Sequence, residues 1–210
     1  DDEGTNLTRN RELVTLGARI EQAPAAEDWF WEWESALQFG QSRLVTSPSA
    51  FEDLDHLAQF HHLSFGYRFA GASRPELEFL FDYASGDDDP DDGNNGRFDT
   101  LFGARRFEFG PTGIFGAIAR SNIVSPGLRF RSRPTDRTQL MLTHRVHWLA
   151  SDRDQLVGTG LVDPTGATGS YVGQLAELRL RYDVVPRNLR LEAGVAHLFA
   201  GDVVQDAPNA

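Results

Sequence analysis

Strict alternation of apolar and charged side chains is the feature of this sequence that most constrains its fold. It is clearest at residues 76–83, a segment with the two-residue period of a β-strand. One face of the predicted strand carries Leu77, Phe79, Phe81 and Tyr83, and the opposite face carries Glu76, Glu78, Leu80 and Asp82. A strand of this kind separates two unlike environments, so we expect a sheet with one polar and one apolar face.

Other segments along the chain show alternation of the same kind. They are residues 12–20, 29–39, 60–69, 124–133, 138–149, 171–183 and 189–199. The second of these segments has Trp29, Trp31 and Trp33 on alternate positions. This arrangement is typical of the aromatic girdle of a membrane-spanning sheet, and the crowded core of a soluble sandwich is the alternative explanation.

The lengths of the connections alternate as well. Short and long connections follow one another, which is typical of a β-meander that crosses a membrane with brief turns on one side and longer loops on the other. The long connections include residues 41–57, where a helical turn is expected at 51–57, and residues 84–122, which we expect to lie in a lumen or outside the cell. Residues 201–210 are expected to form a final loop.

These patterns predict an all-β fold that forms one domain over residues 1–210. The predicted architecture is an antiparallel up-and-down transmembrane β-barrel with about eight strands, either closed by itself or part of a larger barrel. The first residues, Asp1-Asp-Glu-Gly, are neither basic nor apolar and do not resemble a signal peptide. We therefore expect a mature chain or an excerpt of one.

Composition excludes several classes of protein. The net charge of −11 at pH 7 argues against a nucleic-acid partner, because an acidic surface repels phosphate. The absence of cysteine excludes disulfides and thiolate metal sites. No segment has the roughly 18 to 20 consecutive apolar residues of a membrane helix, whereas a membrane strand needs only about 9 to 11 residues with every second one apolar.

The polar face of the predicted strands carries the first candidate site. Arginine offers a planar fork that binds carboxylate groups, so an arginine-rich face suits the path of a hydrophilic solute through a lumen. Cross-strand charge ladders that stabilise the sheet explain the same pattern equally well. The candidate lumen residues are Arg19, Arg68, Arg129, Arg131, Arg133, Arg145, Arg179, Arg181, Arg190, Glu177 and Glu192.

The acidic loop after residue 84 is a second candidate site. Crowded carboxylates are the ligands that Ca²⁺ prefers, although the spacing here is not that of an EF-hand, because Pro90 interrupts it. A solvated extracellular loop is the simpler interpretation, and no other cofactor is expected. The candidate cation ligands are Asp87, Asp88, Asp89, Asp91 and Asp92.

The sequence offers little support for catalysis. Of the histidines, His61 and His144 lie on predicted apolar faces, and no histidine is paired with a nucleophile in a known motif. The segment Ser85-Gly-Asp87 lacks the nucleophile elbow of a hydrolase. We therefore expect that the protein is not an enzyme.

Short segments in order along nearly the whole chain resemble the alginate export family of outer-membrane β-barrels. They are Thr15-Leu-Gly-Ala-Arg19, Gln38-Phe-Gly40, Ser64-Phe-Gly-Tyr67, Tyr83-Ala-Ser-Gly-Asp87, Phe98-Asp-Thr-Leu-Phe102, Ser121-Asn-Ile123, His147-Trp-Leu-Ala-Ser-Asp152 and Leu191-Glu-Ala-Gly-Val-Ala-His-Leu-Phe-Ala-Gly-Asp202. The resemblance implies a monomeric barrel in the outer membrane of a Gram-negative cell, surrounded by lipid, whose arginine-rich lumen passes an anionic polysaccharide.

Members of that family are considerably longer than this chain, and the matching segments resemble the C-terminal half of the barrel. The resemblance therefore implies an incomplete barrel. An open sheet edge cannot remain in lipid, because its N–H and C=O groups have no partners there, so further strands or an altered closure must complete the wall.

The function expected is that of an outer-membrane porin or exporter for a hydrophilic solute, with an anionic, polyuronate-like polymer as one candidate. The excess of acidic over basic residues argues against strict polyuronate specificity. Two alternatives stay open: a structural or ligand-binding barrel whose lumen is occluded by residues 98–122, and a soluble β-sandwich or lipocalin-like binding module. Charged side chains inside and aromatic side chains outside would require lipid, and the inverse arrangement would require water outside.

Overall fold

A computed structural model describes residues 11–23, 25, 27–43, 53–101, 109–110 and 116–210 of the chain. Their regular structure is almost entirely β. The elements are β1 (Arg11–Gln22), β2 (Trp29–Ser42), β3 (Leu54–Arg68), β4 (Glu76–Ala84), β5 (Asn94–Asn95), β6 (Ile123–Thr135), β7 (Thr138–Trp148), β8 (Tyr171–Val185), β9 (Leu189–Ala200) and α1 (Asp202–Asp206).

The strands form one nine-stranded sheet in the order β1-β2-β3-β4-β6-β7-β8-β9, and each neighbouring pair in this order is antiparallel. The two-residue strand β5 lies outside this path and pairs parallel to the start of β3. The antiparallel up-and-down prediction is confirmed. The sheet is open, since within the described ranges β1 and β9 each pair with a single strand.

The two faces of the sheet differ as the alternation predicts. The polar face, defined by the side of the sheet that carries Asp82 and Arg145, is buried over its centre, and these two residues are 0% and 1% exposed. The apolar face, which carries Phe79 and Leu128, is open, with these residues 42% and 52% exposed. This is the reverse of a soluble sheet protein, where apolar side chains fill the interior.

The two ends of the sheet differ too. The turn end is the end where β1, β3, β6 and β8 finish and short turns follow, and the loop end is the end where β2, β4 and β7 finish, together with α1. At the loop end, apolar loop side chains pack over the polar-face positions Ala58, Phe60 and Val172. These loop residues form what we call the loop cap: Phe98, Phe109, Ile118, Leu149, Leu156 and Val203.

Three local predictions need correction. The connection after β2 is shorter than 41–57, because Leu54–Leu57 are extended and pair with Phe39–Ser42, so no helical turn forms at 54–57; residues 51–52 lie outside the described residues. The long loop begins after Ala84, which ends β4, and it contains β5. Residues 202–206, predicted as loop, form the short helix α1, whose Val203 is buried in the loop cap.

One glycine permits a bulge between β7 and β8. The register shifts between His147 and Trp148, and Gly173, which pairs with His147, has a φ of 135°, in the left-handed region that favours glycine. A Cβ atom at Gly173 would lie 2.2 Å from the carbonyl oxygen of Phe199. No helix among the described residues is long and apolar enough to cross a membrane.

Candidate functional site

The centre of the polar face is built around Asp82 of β4. Its Oδ2 accepts a hydrogen bond from Arg145 Nη1 at 2.8 Å, and its Oδ1 lies 2.9 Å from His62 Nδ1. Arg120, which comes from the long loop before β6, places Nε 3.0 Å from Asp82 Oδ1. One buried carboxylate therefore joins strands β3, β4 and β7 to the loop.

Local sequence makes room for the long Arg145 side chain. The residue opposite it on β6 is Gly127, and a Cβ atom there would lie 2.5 Å from Arg145 Cγ. Arg145 Nη1 also donates to Ser125 Oγ and to the Ser125 carbonyl oxygen at 3.1 and 3.0 Å. The small residues at 125 and 127 thus allow the guanidinium to reach across β6 to the carboxylate on β4.

A second group of ion pairs lies nearer the turn end. Glu76 pairs with Arg68 and, at 3.0 Å, with Arg131 Nε. Glu78 Oε2 lies 3.0 Å from Arg131 Nη2 and 3.4 Å from Arg129 Nη1. Both carboxylates are buried, so the arginines neutralise them within the sheet.

The edges of the sheet carry exposed cross-strand pairs. Arg190 Nε lies 2.6 Å from Asp183 Oδ1 between β8 and β9. The same two strands are joined by Arg181 and Glu192. At the opposite edge, Arg19 Nε of β1 lies 2.8 Å from Glu32 Oε1 of β2. These ion pairs are cross-strand contacts of the kind expected if the charged residues stabilise the sheet instead of lining a solute path.

A basic cavity of about 280 Å³ lies at the turn end of the polar face. Its lining includes six arginines and one carboxylate, that of Glu76. A second cavity of about 400 Å³ lies beside it towards the centre and is lined by charges of both signs, including Glu32, Glu78 and Arg129. The arginines of the first cavity are Arg68, Arg74, Arg131, Arg133, Arg179 and Arg181.

All the sequence-predicted lumen residues therefore lie on the polar face, but the structure divides them. Arg145 is buried in the central cluster at the border of the second cavity, whereas Arg133 is exposed. Arg68, Arg131, Arg179 and Arg181 meet in the basic cavity. Glu177 is buried on β8 opposite Thr143, which is also buried.

The loops at the loop end are tied together by buried polar contacts. Asn122 Nδ2 donates to the carbonyl oxygens of Ser151 and Gln155, both at 3.1 Å, and its Oδ1 accepts from Ser151 N at 2.8 Å. The guanidinium of Arg97 pairs with the buried carboxylate of Asp154. Residues 85–101 and 116–122 of the long loop are consequently held together with residues 149–170 over the polar face.

The acidic loop does not gather its carboxylates around a common point. Asp87 is buried, and its pKa is raised by burial and by the neighbouring Asp154 carboxylate. The other four aspartates are exposed, and Asp92 bonds to the Asn94 N–H at 2.7 Å. Within the part of the chain that the structure describes, no three histidine, aspartate or glutamate side chains could hold a metal ion. The geometry thus gives the cation hypothesis no support.

The sequence did not single out Arg97, Arg120 or Asn122. All three lie in the long loop, where no two-residue period indicates which side chains point inward. Asn122 has a φ of 48°, a left-handed conformation that asparagine tolerates better than most residues. This angle is known only from the structure, so the sequence alone does not mark the residue.

A β-meander with a charged, buried face and an exposed apolar face has the side-chain arrangement found in the walls of outer-membrane transport proteins. Comparison with known families agrees. The chain matches the alginate export family over residues 1–210 and belongs to this family, which is one of outer-membrane transport. No curated protein matches the chain significantly.

Proposed function

We propose that this sheet is part of the wall of a transmembrane β-barrel in the outer membrane and that its polar face lines the path of a hydrophilic, anionic solute. The reversed burial pattern is the observation that carries the proposal. Exposure of side chains such as Phe79 and Leu128 to water is unfavourable, whereas contact with lipid removes their apolar surface from water. The charged side chains of the opposite face need a polar interior.

The preference for an anion rests on the basic cavity at the turn end. The carboxylates of Glu76 and Glu78 are each paired with two arginines, so they contribute little free negative charge to the path. The exposed Arg133 adds positive charge to the same region, whereas Arg181 is paired with Glu192. A polymer with regularly spaced carboxylates, such as a polyuronate, would meet a succession of arginine forks there.

The loop cap supports a second candidate function, in which the lumen is closed at the loop end. Phe98 stacks on Phe60 at 5.4 Å between ring centroids, and Phe109 lies edge-on to His147. A hydrophilic solute cannot cross this packed apolar region without displacing it. We therefore expect passage to require movement of the loop-cap residues in segments 85–101, 116–122 and 149–170. By contrast, a sandwich or lipocalin-like module does not fit, since its aromatic side chains would fill an interior.

Single-channel recording in a planar bilayer tests the proposal. We expect conductance steps that prefer anions, and we expect uronate oligomers to block them at lower concentrations than neutral glucan oligomers of equal length. The combined variant Arg133→Ser, Arg179→Ser and Arg181→Ser removes charge from the basic cavity and should lower the anion preference several-fold.

Arg187→Asn is the matched control. It removes one arginine from the β8–β9 turn, outside the basic cavity, at a φ of 68° that asparagine accepts. Its selectivity should equal that of the wild type. Protein that stays monodisperse without detergent and never inserts would contradict the membrane assignment, and unchanged selectivity in the combined variant would contradict the anion path.

A further inference from the structure

A serine and a histidine face each other on the open apolar face. Ser35 of β2 and His61 of β3 are directly opposite in the antiparallel ladder. Ser35 Oγ lies 2.8 Å from His61 Nδ1, within the range of an O–H···N hydrogen bond. This is the contact required for a histidine to take a proton from a serine nucleophile.

A third residue fixes which ring nitrogen carries the proton. His61 Nε2 lies 3.3 Å from the amide oxygen Oε1 of Gln59. An amide oxygen only accepts, so this contact favours the neutral tautomer with its proton on Nε2, in which Nδ1 has a lone pair for the Ser35 hydroxyl. The Tyr83 ring stacks on the imidazole with 6.1 Å between ring centroids and an interplanar angle of 23°.

The surroundings of this group suit a lipid ester. Towards the turn end, the next side chains on the same face are Trp33 and Leu63, which are 40% and 41% exposed. Towards the loop end lie Leu37 and Gln59, and Tyr83 lies beside His61 on β4; all three border a cavity of about 370 Å³. An ester carbonyl at Ser35 would therefore have apolar surface at Trp33 and Leu63 for its acyl chain, and its alcohol would lie near the polar groups of Gln59 and Tyr83 that adjoin His61.

A second histidine and glutamine pair on the same face supplies a comparison. His144 Nε2 lies 3.0 Å from Gln174 Oε1. The residues opposite His144 on the neighbouring strands are Leu128 and Ala176, so this pair has no serine across from it. His144 therefore has the histidine–glutamine contact without a neighbouring serine, and it serves as a control for the effect of Ser35.

We propose that Ser35, His61 and Gln59 form a membrane-facing site that hydrolyses acyl esters. Ser35 Oγ attacks the ester carbonyl carbon as its proton moves to His61 Nδ1, and the carbon–oxygen bond to the alcohol then breaks as His61 returns the proton to the leaving oxygen. Water attacks the acyl-serine with His61 again taking and returning the proton, which releases the acid and regenerates Ser35. Gln59 holds the imidazole in the required tautomer.

The site should be slow. The backbone N–H groups of β2 and β3 are used in the sheet ladder, and removing one donor from an oxyanion site typically costs about 100- to 1,000-fold in rate. General-base assistance itself contributes about 100- to 10,000-fold. Reactivity of Ser35 towards an electrophile is therefore a more sensitive readout than turnover alone.

Labelling with a long-chain alkyl fluorophosphonate tests the assignment. The full chain in detergent is treated with the probe, and the modified serines are located by peptide mass spectrometry. We expect Ser35 to react at least about 100-fold faster than Ser73, an unactivated serine of the β3–β4 turn. His61→Ala should reduce the Ser35 rate to that of Ser73, and Gln59→Leu should reduce it partly.

His144→Ala is the control for loss of a paired histidine and should leave the Ser35 rate unchanged. His61→Gln keeps a hydrogen-bonding side chain at position 61, so it separates loss of the base from loss of folding. Release of p-nitrophenol from a long-chain p-nitrophenyl ester by the wild type but not by Ser35→Ala would support the hydrolase. Ser35 labelling equal to that of Ser73, labelling that survives His61→Ala, or labelling without ester turnover would overturn it.

Discussion

Arg145 Nη1 and Asp82 Oδ2 lie 2.8 Å apart across the intervening strand β6, and both side chains are buried. Asp82 also meets His62 and Arg120, so a single carboxylate offsets the charge of the guanidinium and anchors the long loop. Because a buried charge without its partner is costly, the centre of the sheet depends on this residue more than on any exposed ion pair.

Replacement of Asp82 by alanine should be strongly destabilising. It leaves Arg145 buried without its counter-charge, and breaking such a pair typically costs about 3 to 5 kcal/mol. The midpoint of urea unfolding, followed by tryptophan fluorescence in detergent micelles, measures the effect. Asp183→Ala removes the partner of the exposed Arg190 and should have a much smaller effect, because water screens an ion pair at the edge of the sheet. Equal losses in the two variants would contradict the central role of Asp82.

Gly127→Ala should weaken the same cluster without removing a charge. The added methyl group would lie 2.5 Å from Arg145 Cγ and 2.8 Å from the His144 carbonyl oxygen, so the arginine or the strand must shift. Overpacking of this kind costs about 1 to 3 kcal/mol, again measured by urea unfolding. Gly93→Ala is the control, because no atom lies within 4 Å of the new methyl group. A neutral Gly127→Ala variant would show that Arg145 has room to move.

Asn122→Ala should loosen the loop cap and leave the sheet intact. The substitution removes the three hydrogen bonds that join residue 122 to Ser151 and Gln155. We expect hydrogen exchange of the Ser151 amide to become about tenfold faster, because a buried donor left without its acceptor typically costs about 1 to 3 kcal/mol.

Asn209→Ala is the comparison for the cap. Asn209 also bridges loop groups, donating to the Gly160 carbonyl oxygen at 3.0 Å and accepting from Val162 N at 3.0 Å, but it is exposed. Exchange at Ser151 should be unaffected in that variant. If Asn122→Ala and Asn209→Ala gave the same exchange pattern, the buried amide would not hold the cap together.

The loop around Asp163 should lose order in acid. Hydrogen bonds from the hydroxyl and N–H groups of Thr165 and Thr168 hold the pKa of Asp163 well below its ordinary value. A carboxylate with a depressed folded-state pKa stabilises the fold above its unfolded pKa of about 3.9, and the contribution is lost as pH falls through the folded pKa.

Amide exchange of Thr168, corrected for intrinsic rates, measures this dependence. Protection should be constant from neutral pH to about pH 4 and should fall below it. Asp163→Asn cannot accept hydrogen bonds at both side-chain positions, so its Thr168 amide should be poorly protected across the whole pH range. Protection in the wild type that persists unchanged to the lowest pH would argue against the role of the carboxylate.

Alternation and connection length predicted most of the sheet. Because side chains on a strand point alternately to opposite faces, Phe79 and Asp82 had to face opposite ways once residues 76–83 were extended. Short turns between successive strands made them antiparallel neighbours, which the pairing of β6 with β7 across 136–137 confirms. The start of β3 was missed, because Asp55 and His56 interrupt the apolar pattern that marks the rest of the strand.

The pairing of particular side chains depended on the tertiary structure. Alternation assigned Ser35 and His61 to the apolar face, but only the register of β2 against β3 places one directly opposite the other. Arg120 and Asn122 lie in a loop without periodicity, and their positions follow from packing at the loop end. The sequence by itself therefore determined which face each strand residue occupies, since that depends on local period alone. Only the tertiary structure decided which charges meet, since that depends on register and on long-range loop packing.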